Sequence, residues 1–244
     1  YIKKCRSCNS KSLKALFSLG KIRFTGKFPK IREVIPRGKL ELVMCNNCKL
    51  VQLKHIFNMK YLYNKDYGYR TGINATMSNH VKSVVKKISS IARIRKGDNV
   101  LDIASNDATL LKNYNRRIVT WGIDPILNKY KNEYKKINFK IPNFFDYNLI
   151  LKKNKKVKFK VVSALSVFYD LPNPNFFLKG IKKILHTDGI FYLEFQDLMM
   201  IIKHNMFDTI CHEHLEYYSV TFINKLLKKH NLRIFDHFYN DING

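Results

Sequence analysis

The 244-residue sequence lacks any apolar run near the roughly 20 residues needed to span a bilayer. It also lacks a charged-then-apolar leader at its start, so we expect a cytoplasmic protein with no membrane-spanning segment. Hydrophobic residues make up 45% of the chain, which excludes wholesale disorder. The length suffices for one sizeable α/β domain with a small appendage.

Acidic residues are scarce, because 18 Asp and Glu stand against 45 Lys and Arg and leave a net charge of +27. Such a charge can indicate a nucleic-acid-binding protein. The excess is mostly lysine spread along the whole chain, however, and a compositional bias produces the same pattern. We therefore do not expect nucleic acid as a partner, whereas an anionic small molecule would be attracted by this field.

Cysteine is infrequent, and its odd number of five excludes a complete disulfide framework. Four of the five form two Cys-x-x-Cys pairs, Cys5 with Cys8 and Cys45 with Cys48. In a cytosolic protein this spacing is typical of a tetrahedral zinc site, because both thiolates of a pair can reach one metal from a tight turn. Four thiolates fill the coordination sphere, so we predict a structural zinc ion, with redox-active thiols as the alternative.

The stretch at residues 100–111, VLDIASNDATLL, reads as a buried strand that turns into a helix. The next apolar strand, at residues 119–124, ends in Asp124, and two such strands predict a nucleoside-binding crevice. The turn lacks the three glycines of a dinucleotide fingerprint and the Lys-Ser/Thr pair of a P-loop. A ligand with a ribose but no pyrophosphate fits this turn, and S-adenosylmethionine is the obvious candidate.

The order of segments predicts three parts. Residues 1–58 form the zinc-binding module, residues 59–95 a tyrosine-rich linker with a helix ending near Ile94, and residues 96–244 an α/β domain. The linker is either a loop over a ligand or a packing loop.

Further strands are predicted at 157–164, 190–195 and 232–238, and helices behind Asn175 and at 220–230. This alternation predicts a Rossmann-like, mostly parallel sheet with helices on both faces.

Four motifs, in order along nearly the whole chain, resemble those of one family. VLDIASNDATLL followed by WGIDP resembles the cofactor motifs of class I S-adenosylmethionine-dependent methyltransferases. MCNNCKLVQL, YGYRTGINATMSNH and DTICHEHLEYYS narrow the resemblance to the sugar C-methyltransferases. Those enzymes carry an N-terminal zinc-binding domain and act on nucleotide-linked 4-ketosugars. The resemblance therefore implies a nucleotide-sugar substrate.

The resemblance also implies a cofactor site. Asp124 would bind the ribose hydroxyls, with Pro125 beside the adenine, while Tyr69 and Thr71 would close over the cofactor and the sugar. The cofactor-binding residues implied in all are Asp102, Ala104, Ser105, Asn106, Asp124, Pro125, Phe145, Asp146, Thr71 and Ser166.

The His-Glu-His segment would carry the chemistry. Methylation of a carbon next to a ketone needs a base for the α-proton, and histidine suits this because its proton affinity lies near neutral pH. The family pattern makes His214 the base, with Glu213 and His212 orienting it or binding the sugar and Tyr69 close by. The alternatives are a polar surface loop or a metal site, although the His-Glu-x-x-His spacing of zinc proteases is not met.

Several positions depart from the family pattern. Ala108 stands where relatives usually have Gly, Cys211 where they often have Tyr, and Ser166 and Asp170 where they often have Asn and His. Relatives also continue through a final antiparallel strand into a C-terminal domain, so we expect a truncated chain. Other possibilities are a methyltransferase for an oxygen, nitrogen or RNA acceptor, or an inactive zinc-containing relative.

Overall fold

The computed structural model describes residues 1–25, 29 and 31–242. The chain divides into two compact units. Unit 1 comprises Tyr1–Gly68, Phe168–Leu178 and Phe195–Gly244, and unit 2 comprises Tyr69–Val167 and Lys179–Glu194. Within the described ranges, no helix is long and apolar enough to cross a membrane.

Unit 1 is built on an antiparallel sheet of four strands: β1 (Leu13–Arg23), β2 (Arg37–Cys45), β3 (Val51–Leu53) and β9 (Glu216–Tyr217), in that order across the sheet. Its helices are α1 (Met59–Leu62), α5 (Leu198–Lys203) and α6 (Val220–Lys229). Leu40, Leu42, Leu53, Leu215 and Tyr217 form its main apolar cluster. β9 thus pairs a segment near the end of the chain with the first hairpins, in register Val51 with Tyr217.

Unit 2 is built on a parallel sheet of five strands: β4 (Asn99–Ile103), β5 (Val119–Ile123), β6 (Phe139–Ile141), β7 (Phe159–Leu165) and β8 (Leu185–Glu194). The order across the sheet is β6-β5-β4-β7-β8, so the direction of progression reverses between β4 and β7. In open α/β sheets, ligands bind at the carboxyl ends of the strands beside such a reversal. The predicted Rossmann-like architecture is confirmed.

The helices of this part of the chain are α2 (Ala75–Ala92), α3 (Tyr147–Lys153) and α4 (Pro174–Ile184), and the boundary between the two units falls within α4. The buried face of α2 comprises Val81, Val84, Val85 and Ile88, which recur at helical spacing. Asn74 caps this helix by accepting a hydrogen bond from the Met77 N–H.

Three local predictions were wrong. No α-helix begins behind residues 106–109; they form turns, followed by a single 3-10 turn at Leu111–Asn113. Residues 232–238 form no strand, and Phe235 and Phe238 are exposed, so the apolar alternation there is not packed against a sheet. Asn173, not Asn175, caps the start of α4, because its side chain accepts a hydrogen bond from the Phe176 N–H.

Candidate active site and metal centre

The four cysteines of the two Cys-x-x-Cys pairs lie together in unit 1. Their Sγ atoms all lie within 4.8 Å of one another, and the Cys5–Cys48 and Cys8–Cys45 sulfur distances are both 3.5 Å. A tetrahedral zinc ion with Zn–S bonds of about 2.3 Å needs sulfur atoms about 3.8 Å apart. The donor set and its spacing therefore fit zinc, and with four thiolates the site is closed, as in structural zinc centres.

The two cysteine turns, or knuckles, have the same backbone geometry. Asn9 and Lys49, each directly after a second cysteine, have φ values of 60° and 65° and donate backbone hydrogen bonds to the carbonyls of Cys5 and Cys45. A left-handed residue at this place turns the chain sharply enough for both sulfurs of a pair to face one point. Because both knuckles have this geometry, all four sulfur atoms can bind a single metal ion between them.

Polar side chains stabilise the sulfur atoms. Gln52, which is fully buried on β3, donates from Nε2 to Cys5 Sγ at 3.2 Å, and Asn47 donates from Nδ2 to Cys8 Sγ at 3.6 Å. Hydrogen bonds of this kind stabilise thiolates bound to a metal and orient them. Sequence reasoning missed Gln52, although it lies inside the MCNNCKLVQL motif.

At the carboxyl end of β4, unit 2 forms an unusual turn. Ala104, Asn106 and Ala108 have φ values of 57°, 47° and 61°, in the left-handed region that non-glycine residues seldom adopt. These left-handed residues explain the absence of a helix here. The N–H groups of Ala104, Ser105 and Asn106 donate to the Ile123 carbonyl and the Asp124 carboxylate, so the end of β5 holds the turn in this conformation.

Asp124 braces this turn from the end of β5. Its Oδ2 accepts a hydrogen bond from the Asn106 N–H at 2.8 Å, and its Oδ1 accepts one from the Ile126 N–H at 2.7 Å. Burial raises the pKa of Asp124 to about 6, although both hydrogen bonds oppose the rise. The carboxylate is thus largely ionised at pH 7 and retains lone pairs that can accept further hydrogen bonds.

Asp102 and Ser105 are buried beside the turn. Ser105 Oγ lies 2.7 Å from Tyr134 Oη, and the Tyr134 hydroxyl donates to the Asn106 carbonyl at 2.9 Å. Tyr134 therefore holds two of the predicted cofactor residues, a role that no motif in the sequence indicates. Burial raises the pKa of Asp102 to about 7, so that about half of its population is protonated near neutral pH.

The segment 69–72 docks on the same turn. Asn106 accepts from the Thr71 N–H at 3.0 Å through Oδ1 and donates to the Tyr69 carbonyl at 3.2 Å through Nδ2. The Asp107 carboxylate accepts from the Gly72 N–H at 3.1 Å and from Arg70 Nε at 2.9 Å. The structure thus brings Tyr69 and Thr71 to Asn106, within one unit.

The remaining predicted cofactor residues occupy strand ends and loops of unit 2. Pro125 follows Asp124, and Phe145 lies near Gly180 of α4. Asp146 caps α3 by accepting from the Asn148 N–H at 2.8 Å. Ser166 follows β7 with a φ of 52° and donates its N–H to the Glu194 carbonyl at 3.0 Å.

The His-Glu-His segment belongs to unit 1. His212 is fully buried between the rings of Phe24 and Phe57, at centroid distances of 4.9 and 5.2 Å, and its Nε2 donates to the Gly38 carbonyl at 3.3 Å. This is the environment of a packing histidine, and it favours a structural role for His212. Glu213 accepts a hydrogen bond from Thr25 Oγ1 at 2.9 Å, which fixes the carboxylate beside it.

His214 has a defined tautomer. Its Nδ1 lies 2.7 Å from the Thr209 carbonyl oxygen, which can only accept, so Nδ1 carries the proton and Nε2 the lone pair. The Tyr169 ring packs against the imidazole at a centroid distance of 4.4 Å. Burial lowers the pKa of His214, although the Thr209 carbonyl and nearby carboxylates oppose the change. At neutral pH the ring is therefore neutral and basic at Nε2.

A buried acid lies next to Tyr169 in the chain. Asp170 Oδ2 accepts from the Tyr63 hydroxyl at 2.8 Å, and burial raises the pKa of Asp170 well above its usual range. Burial thus favours the protonated form of Asp170. Sequence reasoning identified Asp170 only as a departure from the family pattern, because nothing local shows that it is buried.

Two family profiles match the sequence. Residues 5–63 match a family described as a zinc-binding domain, and residues 66–237 match a family described as a methyltransferase domain. The chain belongs to this methyltransferase family. The zinc-binding match covers all four cysteines, and the methyltransferase match contains the β4 turn, Asp124 and the His-Glu-His segment.

The C-methyltransferase NovU of Streptomyces niveus is 27% identical over 211 residues, which cover 84% of this chain and 49% of that protein. The chain thus spans about half the length of the curated relative that it matches. An S-adenosylmethionine-dependent methyltransferase from Clostridium acetobutylicum superposes with a TM-score of 0.53 at 14% identity, covering 68% of this chain and 86% of the other. An O-methyltransferase family protein from Burkholderia thailandensis superposes with a TM-score of 0.52 at 14% identity, covering 67% of this chain and 53% of the other.

These similarities agree with the geometry. The prediction of a zinc-binding domain followed by a methyltransferase-family domain is confirmed, and the fold of the second is that of solved methyltransferases. The fit of the four sulfur atoms to a tetrahedral metal supports the zinc-binding assignment independently.

Proposed function

We propose that the protein is an S-adenosylmethionine-dependent C-methyltransferase that acts on a nucleotide-linked 4-ketosugar. The observation that carries the proposal is the tautomer of His214, whose Nδ1–H donates to the Thr209 carbonyl and leaves Nε2 free to accept a proton. Carbon methylation needs such a base, since a C–H bond next to a ketone must first be broken. The relative named as a C-methyltransferase supports this choice of acceptor.

The residues of unit 2 would bind the methyl donor. Asp124 would accept hydrogen bonds from the ribose hydroxyls, and the β4 turn with Tyr69 and Thr71 would enclose the methionine portion. S-adenosylmethionine supplies an electrophilic methyl group on a sulfonium. The ionised Asp124 and partly ionised Asp102 suit a ligand that carries positive charge.

His214 would carry out the proton transfer. Nε2 takes the proton from the carbon next to the ketone, and the C–H electron pair moves to the carbonyl oxygen as an enolate. Bound S-adenosylmethionine, held by Asp124 and the β4 turn, would supply the methyl group that this carbon receives. The burial that lowers the pKa of His214 keeps the base unprotonated at neutral pH before each turnover.

Two experiments test proton abstraction and S-adenosylmethionine binding separately. Without S-adenosylmethionine, the chain is incubated in D2O with thymidine diphosphate 4-keto-6-deoxyglucose, and deuterium at the α-carbon is measured by mass spectrometry. We expect incorporation that falls about 100-fold or more in His214→Gln. His204→Gln, an exposed histidine of the same unit, serves as the control and should retain the wild-type rate.

Undiminished incorporation in His214→Gln would show that another group is the base. Calorimetric titration with S-adenosylmethionine tests the other half. No detectable binding would contradict a methyltransferase activity of this chain, whatever the acceptor.

A further inference from the structure

Arg6 has an environment that the zinc site alone does not explain. It lies between the ligands Cys5 and Cys8, yet its side chain is only 3% exposed. Its Nη1 donates to the Leu53 carbonyl at 2.6 Å and to the Leu215 carbonyl at 3.4 Å. Leu215 directly follows His214.

Glu216 places a second anchor on the same segment. Its side chain is completely buried, and Oε1 lies 3.5 Å from Arg6 Nε. Burial raises the pKa of Glu216 well above its usual range and the charge of Arg6 opposes this rise, while neither carboxyl oxygen has a hydrogen-bond partner among the described residues. Arg6 therefore contacts Leu215 through its backbone and Glu216 through its side chain, the two residues that follow the proposed base.

Gln52 and the pairing of β3 with β9 strengthen the connection between the first knuckle and the segment after His214. Gln52 donates to Cys5 Sγ and also accepts from the Arg6 N–H at 3.1 Å, so the same amide touches a metal ligand and the arginine. Gln52 pairs with Glu216 across β3 and β9, and the Leu53 N–H donates to the Leu215 carbonyl at 2.9 Å. The first knuckle and the segment after His214 are thus joined by strand pairing and by Arg6.

A third contact fixes the knuckle itself. Asn175 Nδ2 donates to the carbonyls of Arg6 and Ser7, at 3.2 and 2.9 Å. In the second knuckle, the residue directly after the first cysteine, equivalent to Arg6, is Asn46. Asn46 is exposed, and its side chain donates to Ser12 Oγ. The two knuckles share one geometry at the metal, but the first one carries the arginine that reaches the His-Glu-His segment.

We propose that Arg6 is a positioning residue that couples the zinc site to His214. A metal held by Cys5 and Cys8 fixes the backbone on both sides of Arg6, and the guanidinium then fixes Leu215 and Glu216. Zinc would therefore define the geometry of the proposed base in addition to stabilising its own knuckles. The functional meaning of this coupling rests on the proposed role of His214, whereas the coupling itself does not.

The first test uses four variants of the full chain: Arg6→Met, Arg6→Lys, Arg6→Met combined with Glu216→Gln, and the control Asn46→Ala. Zinc content, amide hydrogen exchange and the ¹⁵N shifts of histidine rings are measured for each. The double variant removes the unpaired buried charge that Arg6→Met leaves, so it remains informative if Arg6→Met does not fold. Arg6→Lys restores the charge but not the forked set of donors.

We expect the double variant to bind about one zinc per chain. Its amide exchange in residues 213–218 should be at least tenfold faster than in the wild type. Its His214 ring signal should shift away from that of the fixed Nδ1–H tautomer. Arg6→Lys should recover part of the protection. Asn46→Ala, and strands β4 and β7 in every variant, should exchange as in the wild type. Wild-type exchange in residues 213–218 of the double variant at full zinc content would overturn the proposal.

The second test removes zinc from the wild type with a chelator. The coupling predicts faster exchange in residues 213–218 and an altered His214 ring signal, while β4 remains protected. Unchanged protection and an unchanged ring signal after complete zinc loss would overturn it. Because these measurements need no substrate, a failure of the coupling is distinguishable from a failure of the proposed reaction, which the deuterium experiment reports.

Discussion

Ser163 Oγ donates a 2.6 Å hydrogen bond to Asp102 Oδ1, across the neighbouring strands β7 and β4. These are the two strands between which the order of the parallel sheet reverses. The hydrogen bond favours the ionised carboxylate, but burial outweighs it and raises the pKa of Asp102 to about 7. A carboxyl that costs free energy when ionised thus lies beside the reversal of strand order, the place where open α/β sheets in general bind their ligands.

The first prediction concerns the pH dependence of stability. An unfolded aspartate has a pKa of about 3.9, so between pH 4 and 7 the folded state binds more protons and the free energy of unfolding falls as pH rises, by up to about 4 kcal/mol. We expect Asp102→Asn to remove this part of the slope and to raise the free energy of unfolding at pH 8. Urea denaturation at pH 5 and pH 8 measures it. Equal slopes in both proteins would contradict the assigned pKa.

The second prediction concerns the pH dependence of proton abstraction. Burial lowers the pKa of His214 below its ordinary value of about 6.5, so the basic form predominates at neutral pH. The rate of deuterium incorporation should be constant above pH 7 and should decline only at pH values below 6.5. A rate that rises tenfold for each unit between pH 7 and 8 would show a different, more basic group.

The third prediction tests the cover of the cofactor turn. A Cβ atom on Gly72 would lie 2.6 Å from Asp107 Oδ2 and 2.7 Å from Thr109 Oγ1, both held by hydrogen bonds. Gly72→Ala should therefore displace the segment and weaken S-adenosylmethionine binding about tenfold or more, which is about 1.4 kcal/mol. Calorimetry measures the affinity, with the exposed α2 residue Lys82→Ala as control. Unchanged affinity would mean that the segment does not cover the ligand.

The fourth prediction concerns the zinc affinity. Gln52→Leu removes the donor to Cys5 Sγ at nearly constant volume and should weaken zinc binding about 10–100-fold. Asn47→Ala removes the longer, exposed contact to Cys8 Sγ and should have a much smaller effect. Competition with a chromophoric chelator gives both values. Equal losses in the two variants would show that burial of the donor does not matter.

Local patterns were sufficient for much of the fold. The buried face of α2 follows from apolar spacing, and β4 and β5 follow from short apolar runs that end in polar residues. The turn after β4 shows where such reasoning fails. The polar residues at 106–109 predict the start of a helix, but Asn106 and Ala108 adopt left-handed backbone conformations that stop one. The cause is tertiary, since the Asp124 carboxylate and the Tyr134 hydroxyl hold the Asn106 backbone.

The sequence by itself determined the metal ligands, the central strands β4, β5 and β7 and the chemical type of the proposed base, because ligand spacing, hydrophobic pattern and the proton affinity of histidine are local properties. Only the tertiary structure decided the tautomer of His214, the burial of His212 between two rings and the link from Arg6 to Leu215. Arg6 and Leu215 are 209 positions apart. Their contact depends on strand pairing and desolvation, which arise only when distant segments pack together.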